Sequence, residues 1–315
     1  MGHALIVKCL TSKNNFTNKN LMSSFQKRGY STQVFEITQT AVRNNVMLWH
    51  GEELKKPDII IFSHPIFYLK GSIRPETGIQ TSIDFLKSLD AVCINNIDEH
   101  LNVADKEYTT KRLQAANIKM VKTEIINIEN FPYYGSKDKI TLPKDLTVSV
   151  DRLGGYPIVF KNITGMLGME VFVANNFEEL TTLIKTKLKH SRFILQEYQK
   201  SAEAFMLDAR VVGEDVFTRI LMSSPYNTTE SKSIIKTRAH ILPCYVSDSI
   251  RDLVISANKT LGLDVTRPEL FLDKDGVKLC EVNSLGAIVG NEQVNNVNVC
   301  DLIVDLAIKK LKARK

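Results

Sequence analysis

Two glutamates and an asparagine in the last quarter of the chain have the make-up of a cation site. They fall in 269–283, Glu-Leu-Phe-Leu-Asp-Lys-Asp-Gly-Val-Lys-Leu-Cys-Glu-Val-Asn, which reads as two strands joined at Lys274-Asp275-Gly276. A three-residue loop ending in glycine is a common hairpin connection, because glycine takes the left-handed conformation such a turn requires. That register puts Glu269 opposite Glu281, with Asn283 two residues on and on the same face. Like charges directly opposite destabilise a ladder. Two carboxylates and an amide oxygen on one face suit a hard cation such as Mg²⁺, which takes oxygen ligands and shares them with substrate phosphates. A second reading is open: a two-residue turn at Asp275-Gly276 sends the glutamates to opposite faces as solvated charges.

Three other groups could serve the same chemistry. Lys161 ends the apolar run Pro-Ile-Val-Phe and precedes a turn holding Gly165 and Gly168. Glycines let backbone N–H groups approach a phosphate, and lysine adds a point charge, although a strand-end lysine is also ordinary surface. Gln196-Glu197-Tyr198 closes another apolar strand, where an acceptor could take the amino group of adenine; an edge strand with a solvated glutamate is the alternative. Asp208 and Arg210 share a strand face, which also fits a structural ion pair.

The elements that must hold these residues follow from periodicity. Over the first hundred residues strands (4–9, 33–37, 57–62, 91–94) alternate with helices (20–28, 81–89), which implies a small doubly wound parallel α/β domain. Helix at 104–116 and strand at 122–128 lead to a polar Pro/Gly-bearing connection, 131–144. Paired strands (158–163, 170–174) and a helix (176–189) follow, then strand-like runs at 192–198, 205–212, 216–223 and 234–242. A helix over 246–261, the hairpin and a last helix over 300–312 complete the chain. The expectation is an α/β N-terminal domain followed by two α+β lobes, with domains at 1–97, 98–190 and 191–315.

Composition narrows the function classes. The net charge of +6 over 315 residues is mild and scattered, and no aromatics interleave with arginine as on a nucleic-acid platform. Five cysteines, odd in number and without a Cys-x-x-Cys pair, read as reduced thiols and so as a cytoplasmic protein. No apolar run approaches membrane-spanning length. Neither nucleic acid nor membrane is expected as a partner.

In order along the chain, Asp105-Lys106, Lys161 with its glycine turn, Gln196-Glu197-Tyr198, Asp208-Ala-Arg210 and Glu269…Glu281-Val-Asn283 resemble the ATP-grasp fold, specifically its RimK-like carboxylate–amine ligases. His50-Gly-Glu-Glu-Leu followed by Pro57-Asp-Ile-Ile-Ile resembles the pre-ATP-grasp domain of ribosomal-protein glutamate ligases. The resemblance implies ATP and Mg²⁺ as cofactors, with Lys106 and Lys161 on the phosphates, Glu197 and Tyr198 at adenine, Asp208 on the ribose, and Gln196 also among the ATP-binding residues. Glu269, Glu281 and Asn283 would hold metal, often two ions, and Arg210 would steady an acyl phosphate. The implied reaction joins a carboxylate and an amine of an amino acid, peptide or protein side chain, macrocyclisation included, in a possible homo-oligomer. The competing expectation is a catalytically impaired nucleotide-binding or regulatory module.

Three departures bear on these roles. Glu170 stands in the glycine turn where the family usually has glycine, which places an acid near the triphosphate unless its side chain turns outward. Lys232-Ser233-Ile234 replaces an Arg-Ser-Asn segment, leaving Lys232 as the candidate catalytic cation there. Ser63-His64-Pro65 sits where the glutamate ligases tend to carry an arginine, with His64 a candidate substrate contact or merely a strand cap.

Overall fold

Buried β-branched runs build the first layer of the computed structural model, which describes residues 2–8, 16–63, 77–131, 140–164, 170–203, 205–222, 240–285 and 294–314. Strands β1 (His3–Lys8), β2 (Ser31–Glu36), β6 (Ile59–Phe62) and β7 (Val92–Ile94) form a parallel sheet in the order β2-β1-β6-β7. Every residue of β6 is buried, as a parallel strand covered on both faces requires. A small antiparallel sheet of β3 (Thr40–Arg43), β4 (Val46–Trp49) and β5 (Glu52–Glu53) is attached to this domain. Sequence periodicity does not reveal it, because its strands are short and, Met47 apart, not buried.

The two faces of the parallel sheet are covered by different parts of the chain. On one side Leu5, Val7, Ile60 and Phe62 meet Ile79, Ile83 and Leu86 of α2 (Thr77–Ser88). On the other, Ile6, Ile59 and Ile61 meet Leu21 and Phe25 of α1 (Phe16–Lys27) together with Val299, Ile303, Val304 and Ala307 near the far end of the sequence. Beside α1, Arg28 donates to Asp301 at 2.9 Å and to Asp305 at 2.7 Å.

Helices α3 (Ile97–Asn102) and α4 (Lys106–Ala115) lead into the central sheet. It comprises β8 (Thr123–Asn127), β9 (Ile158–Asn162), β10 (Val171–Ala174) and β11 (Arg192–Glu197), all antiparallel, in the order β10-β9-β11-β8. Its outer face carries α5 (Leu146–Arg152) and α6 (Phe177–Lys187) over Ile158, Phe160, Phe193 and Leu195. The third sheet has β12 (Met206–Val212), β13 (Asp215–Met222), β14 (His240–Cys244), β15 (Val265–Asp273) and β16 (Gly276–Ser284), antiparallel in the order β14-β13-β12-β15-β16. Helix α7 (Asp248–Leu261) covers Leu207, Ala209 and Val211 on its outer face. Helix α8 (Val299–Arg314) is the one that closes the first sheet.

Strand alternation turns the remaining side chains of the central and third sheets toward each other. Val159 of the former packs with Met206, Leu221, Phe271 and Cys280 of the latter, and Tyr198 and Val171 lie against this cluster. The segment that leads into β8 is tied to the third sheet through the backbone, because Val121 N donates to Leu279 O and Leu279 N to Lys119 O. Among the described residues, Cys93, Cys244, Cys280 and Cys300 are free thiols. No helix among them is long and apolar enough to cross a membrane.

Candidate active site

The hairpin of β15 and β16 brings Glu269 and Glu281 into register, although by a different route from the one the sequence suggests. The turn is two residues, Lys274-Asp275, closed by an Asp273↔Gly276 pair, with Gly276 at φ +93° and the Asp273 carboxylate accepting from Asp275 N. Alone, this turn would leave the strands one residue out of step with the glutamate pairing. A bulge at Cys280 absorbs the difference: Leu270 pairs with Leu279, while Glu269 pairs with Glu281 and Arg267 with Asn283. A bulge places two successive residues against one partner and redirects their side chains. Here Cys280 joins the cluster between the sheets, and Glu281 reaches cations there.

Lys161 comes from the opposite sheet. It is 5% exposed, and its ammonium donates to Cys280 Sγ at 3.6 Å. Burial works against the charge, but Cys280, Glu281 and Glu269 around it hold its pKa above the ordinary lysine value. Burial pushes the Cys280 thiol up to about 11, so it is protonated at neutral pH, and Glu281, joined by Glu269 as it ionises, balances Lys161. Lys106 is the second ammonium. Asp105 caps α4 by accepting from Glu107 N and Tyr108 N, which fixes Lys106 as the first helical residue. Its Nζ lies 3.3 Å from Glu281 Oε1, and its backbone N–H donates to Ile163 O.

The two glutamates are not equivalent. Burial raises the Glu269 pKa to about 7, with Arg267 opposing and Glu281 and Asp208 adding to the rise. Glu281 moves the other way despite its burial, because Lys106, Lys161 and Arg267 favour its ionised form.

Asp208 and Arg210 share the inward face of β12 but do not bond each other. Asp208, fully buried, accepts from Arg219 Nε and from Arg267 Nε, each at 2.5 Å. Arg210, also fully buried, donates from Nη1 to Leu285 O at 2.7 Å, and burial lowers its pKa to about 9. The β12–β15 pairing breaks between Glu269 and Thr266, where Pro268 has no N–H to give.

At the junction of the sheets, the Glu197 carboxylate accepts from Lys122 N at 2.9 Å and lies 3.4 Å from Lys278 Nζ. Gln196 is 4% exposed and donates to Thr123 Oγ1. Tyr198 follows, packed on the inter-sheet cluster. Glu170 turns to Lys189, with which it forms an ion pair that neutralises its charge. Lys232, Ser233, Ile234, His64 and the glycine turn at Gly165 and Gly168 lie outside the described residues.

The structure thus gathers Lys161, Glu269, Glu281 and Asn283 on the facing surfaces of two sheets, with Lys106 beside them at the start of α4. The sequence reading missed Arg267, Arg219 and Cys280. Arg267 was within reach of it, since a residue two before Glu269 shares its face. Arg219 follows from the Gly213-Glu214 turn, which pairs Val212 with Asp215 and therefore Asp208 with Arg219. Cys280 faces inward because of the two-residue turn, and the bulge lets Glu281 share that face with it.

Two antiparallel lobes facing one another across paired lysines and carboxylates define an ATP-grasp architecture. The RimK-like ATP-grasp domain matches residues 109–307. The chain belongs to the RimK-like ATP-grasp domain family. It is 25% identical over 171 residues to a probable alpha-L-glutamate ligase of Legionella pneumophila (strain Paris), an alignment covering 54% of this chain and 56% of that protein. The chain therefore spans little more than half the length of the curated relatives it first matches. A probable alpha-L-glutamate ligase 1 of Shewanella sp. (strain ANA-3) is 26% identical over 314 residues, 95% of this chain and 94% of that one. Among solved structures, the macrocyclase MdnC from Microcystis aeruginosa MRC, bound with its precursor peptide MdnA, superposes with a TM-score of 0.70. Its identity is 15%, over 98% of this chain and 99% of that chain.

Proposed function

We propose that the protein is an ATP- and Mg²⁺-dependent ligase that joins a carboxylate to an amine through an acyl phosphate, forming an amide, or an ester with a hydroxyl acceptor. The observation that carries this reading is the facing pair Glu269 and Glu281, in register on one sheet and balanced by Lys161 and Lys106 from the other lobe. Like charges opposite one another persist only where cations surround them. The partly exposed side chains of Glu269 and Glu281, with Asn283 beside them, offer the oxygen ligands Mg²⁺ takes while keeping places for phosphate oxygens.

In this reading the metal supplies charge neutralisation where the nucleotide phosphates meet the incoming acid. The chain's own residues do the rest. Lys161 and Lys106 bind phosphate oxygens. The cluster of Val159, Met206, Leu221 and Phe271 beside Tyr198 gives the purine an apolar seat. The γ-phosphoryl group passes to the substrate carboxylate, giving ADP and an acyl phosphate, and attack by the amine releases phosphate and leaves the amide. Fixed positive charge aimed at the transferring group is how such sites gain most of their rate.

Glu197, Asp208 and Arg210 take supporting parts here. The carboxylates of Glu197 and Asp208 are engaged by protein donors, and the Arg210 guanidinium is pinned to Leu285 O. Likeness to the glutamate ligases and to the peptide macrocyclase favours an amino acid, a peptide or a protein side chain as substrate. The burial of Arg210 favours one alternative, a nucleotide-binding module with impaired turnover. ADP release across a panel of acids and amines, in wild type and Glu281→Ala, decides between them. Metal-dependent ADP formation abolished by the change supports the ligase. Nucleotide binding without turnover supports the module.

A further inference from the structure

The Lys161 ammonium meets a neutral partner as well as the two carboxylates. It donates to Cys280 Sγ at 3.6 Å, and from there hydrogen bonds run on in one direction. Cys280 donates to Gln196 Oε1 at 3.8 Å, Gln196 Nε2 to Thr123 Oγ1 at 3.0 Å, and the Thr123 hydroxyl to Val121 O at 2.9 Å. Val121 N in turn donates to Leu279 O, so the path returns to the residue before Cys280. Every side chain in it is buried. An ammonium only donates and a peptide carbonyl only accepts, so the direction is fixed at both ends. Sulfur is a weak donor and a weak acceptor, so the worth of the thiol lies in aim rather than strength. Attraction to Glu281 and Glu269 favours the charge of Lys161 without pointing the tip of its flexible four-carbon stem. Those carboxylates are also what a hard cation takes, whereas a thiol suits softer metals. A metal-loaded site therefore draws on the glutamates and leaves Cys280 to Lys161.

We propose that Cys280 is a positioning residue: its thiol, oriented by Gln196 and Thr123, keeps the Lys161 ammonium aimed into the space between the sheets that receives the nucleotide phosphates. The inference rests on the phosphate-binding role given to Lys161 in the proposed function. Cys280 acts through Lys161, without contact of its own to the phosphates.

Two measurements on the full-length chain test it. ATP affinity by calorimetry in the presence of Mg²⁺ is expected to fall about two- to tenfold in Cys280→Ala, the range of a single net hydrogen bond. It is expected to recover in Cys280→Ser, which still accepts and donates. The second measurement is proton–nitrogen NMR of the nucleotide-free protein, in which the Lys161 ammonium is the signal absent from Lys161→Met. That signal is expected in wild type and Cys280→Ser, and is lost to fast exchange in Cys280→Ala. An alanine variant that binds ATP as wild type does or keeps the signal, or a serine variant no better than alanine, overturns the inference and leaves the ligase reading standing. If Lys161→Met also binds ATP unaltered, the phosphate site falls and takes this inference with it. Should the alanine variant not fold, the wild-type spectrum decides: an ammonium that exchanges too fast to be seen overturns the inference, and one held long enough to be seen supports it.

Discussion

Glu269 and Glu281 stand opposite one another because a one-residue bulge at Cys280 cancels the one-residue offset left by the two-residue turn at Lys274-Asp275. The pairing forces their two charges to titrate together, and each proton bound there competes with a cation.

Mg²⁺ affinity should therefore depend on pH near neutrality. In the absence of metal Glu269 titrates at about 7, so it is largely protonated below that value and ionised above it. Affinity for Mg²⁺ in the presence of nucleotide is expected to rise from about pH 6 to pH 8, because binding releases a proton. Glu281→Gln removes a neighbouring negative charge that raises the Glu269 pKa, and is expected to flatten the rise while weakening binding overall. Calorimetry in two buffers of different ionisation enthalpy measures the proton released. A flat profile in wild type would contradict the assignment of Glu269.

Lys161→Met should separate ligand binding from folding. The ammonium is buried among carboxylates, and methionine fills a similar volume without the charge. Charge-assisted hydrogen bonds are worth about 1.5–3 kcal/mol, so ATP affinity is expected to fall about 10- to 100-fold. Circular dichroism should be unchanged. Unaltered affinity by calorimetry would remove Lys161 from the phosphate site.

Asp208→Asn is expected to damage stability first. It leaves Arg219 and Arg267 facing a neutral amide in a buried place. Breaking a buried ion pair by removing one partner costs about 3–5 kcal/mol, which urea unfolding would read directly. A loss below about 1 kcal/mol would mean that the trio is solvated.

The acid in the glycine turn can be unmasked. Glu170 pairs with Lys189, so Lys189→Ala is expected to raise KM for ATP severalfold with little change in stability, since such half-exposed pairs contribute about 0–1 kcal/mol. Glu170→Gln in the same background should restore KM. If the single change leaves KM untouched, Glu170 lies too far from the phosphates to matter.

Most of the site could be read from the sequence because its residues sit on strands, where alternation fixes the face. Glu269, Glu281 and Asn283, and separately Lys161, were readable in that way, as was the parallel first sheet from the run Ile59–Phe62. The bulge was not, because nothing in Leu279-Cys280-Glu281 marks an extra residue and the expected three-residue turn gave the same pairing without one. Glu197 was legible as the end of an apolar strand, but the bonds of its carboxylate to Lys122 N and Lys278 are set by packing between sheets. Arg210 was legible as inward-facing, but its bond to Leu285 O depends on how β16 ends. Long-range packing also explains the last helix, whose periodicity shows a helix but not which sheet it covers.

That last helix imposes an order on the protein's birth. As the chain emerges during synthesis, Ile6, Ile59 and Ile61 are made early, yet half of their cover, Val299 to Ala307, is translated some two hundred and forty residues after β6. Domains ordinarily fold as units from the amino end. Here one flank of the first sheet is only half covered, by α1, until synthesis has passed α8, and exposed apolar surface of that kind makes a nascent intermediate prone to aggregate.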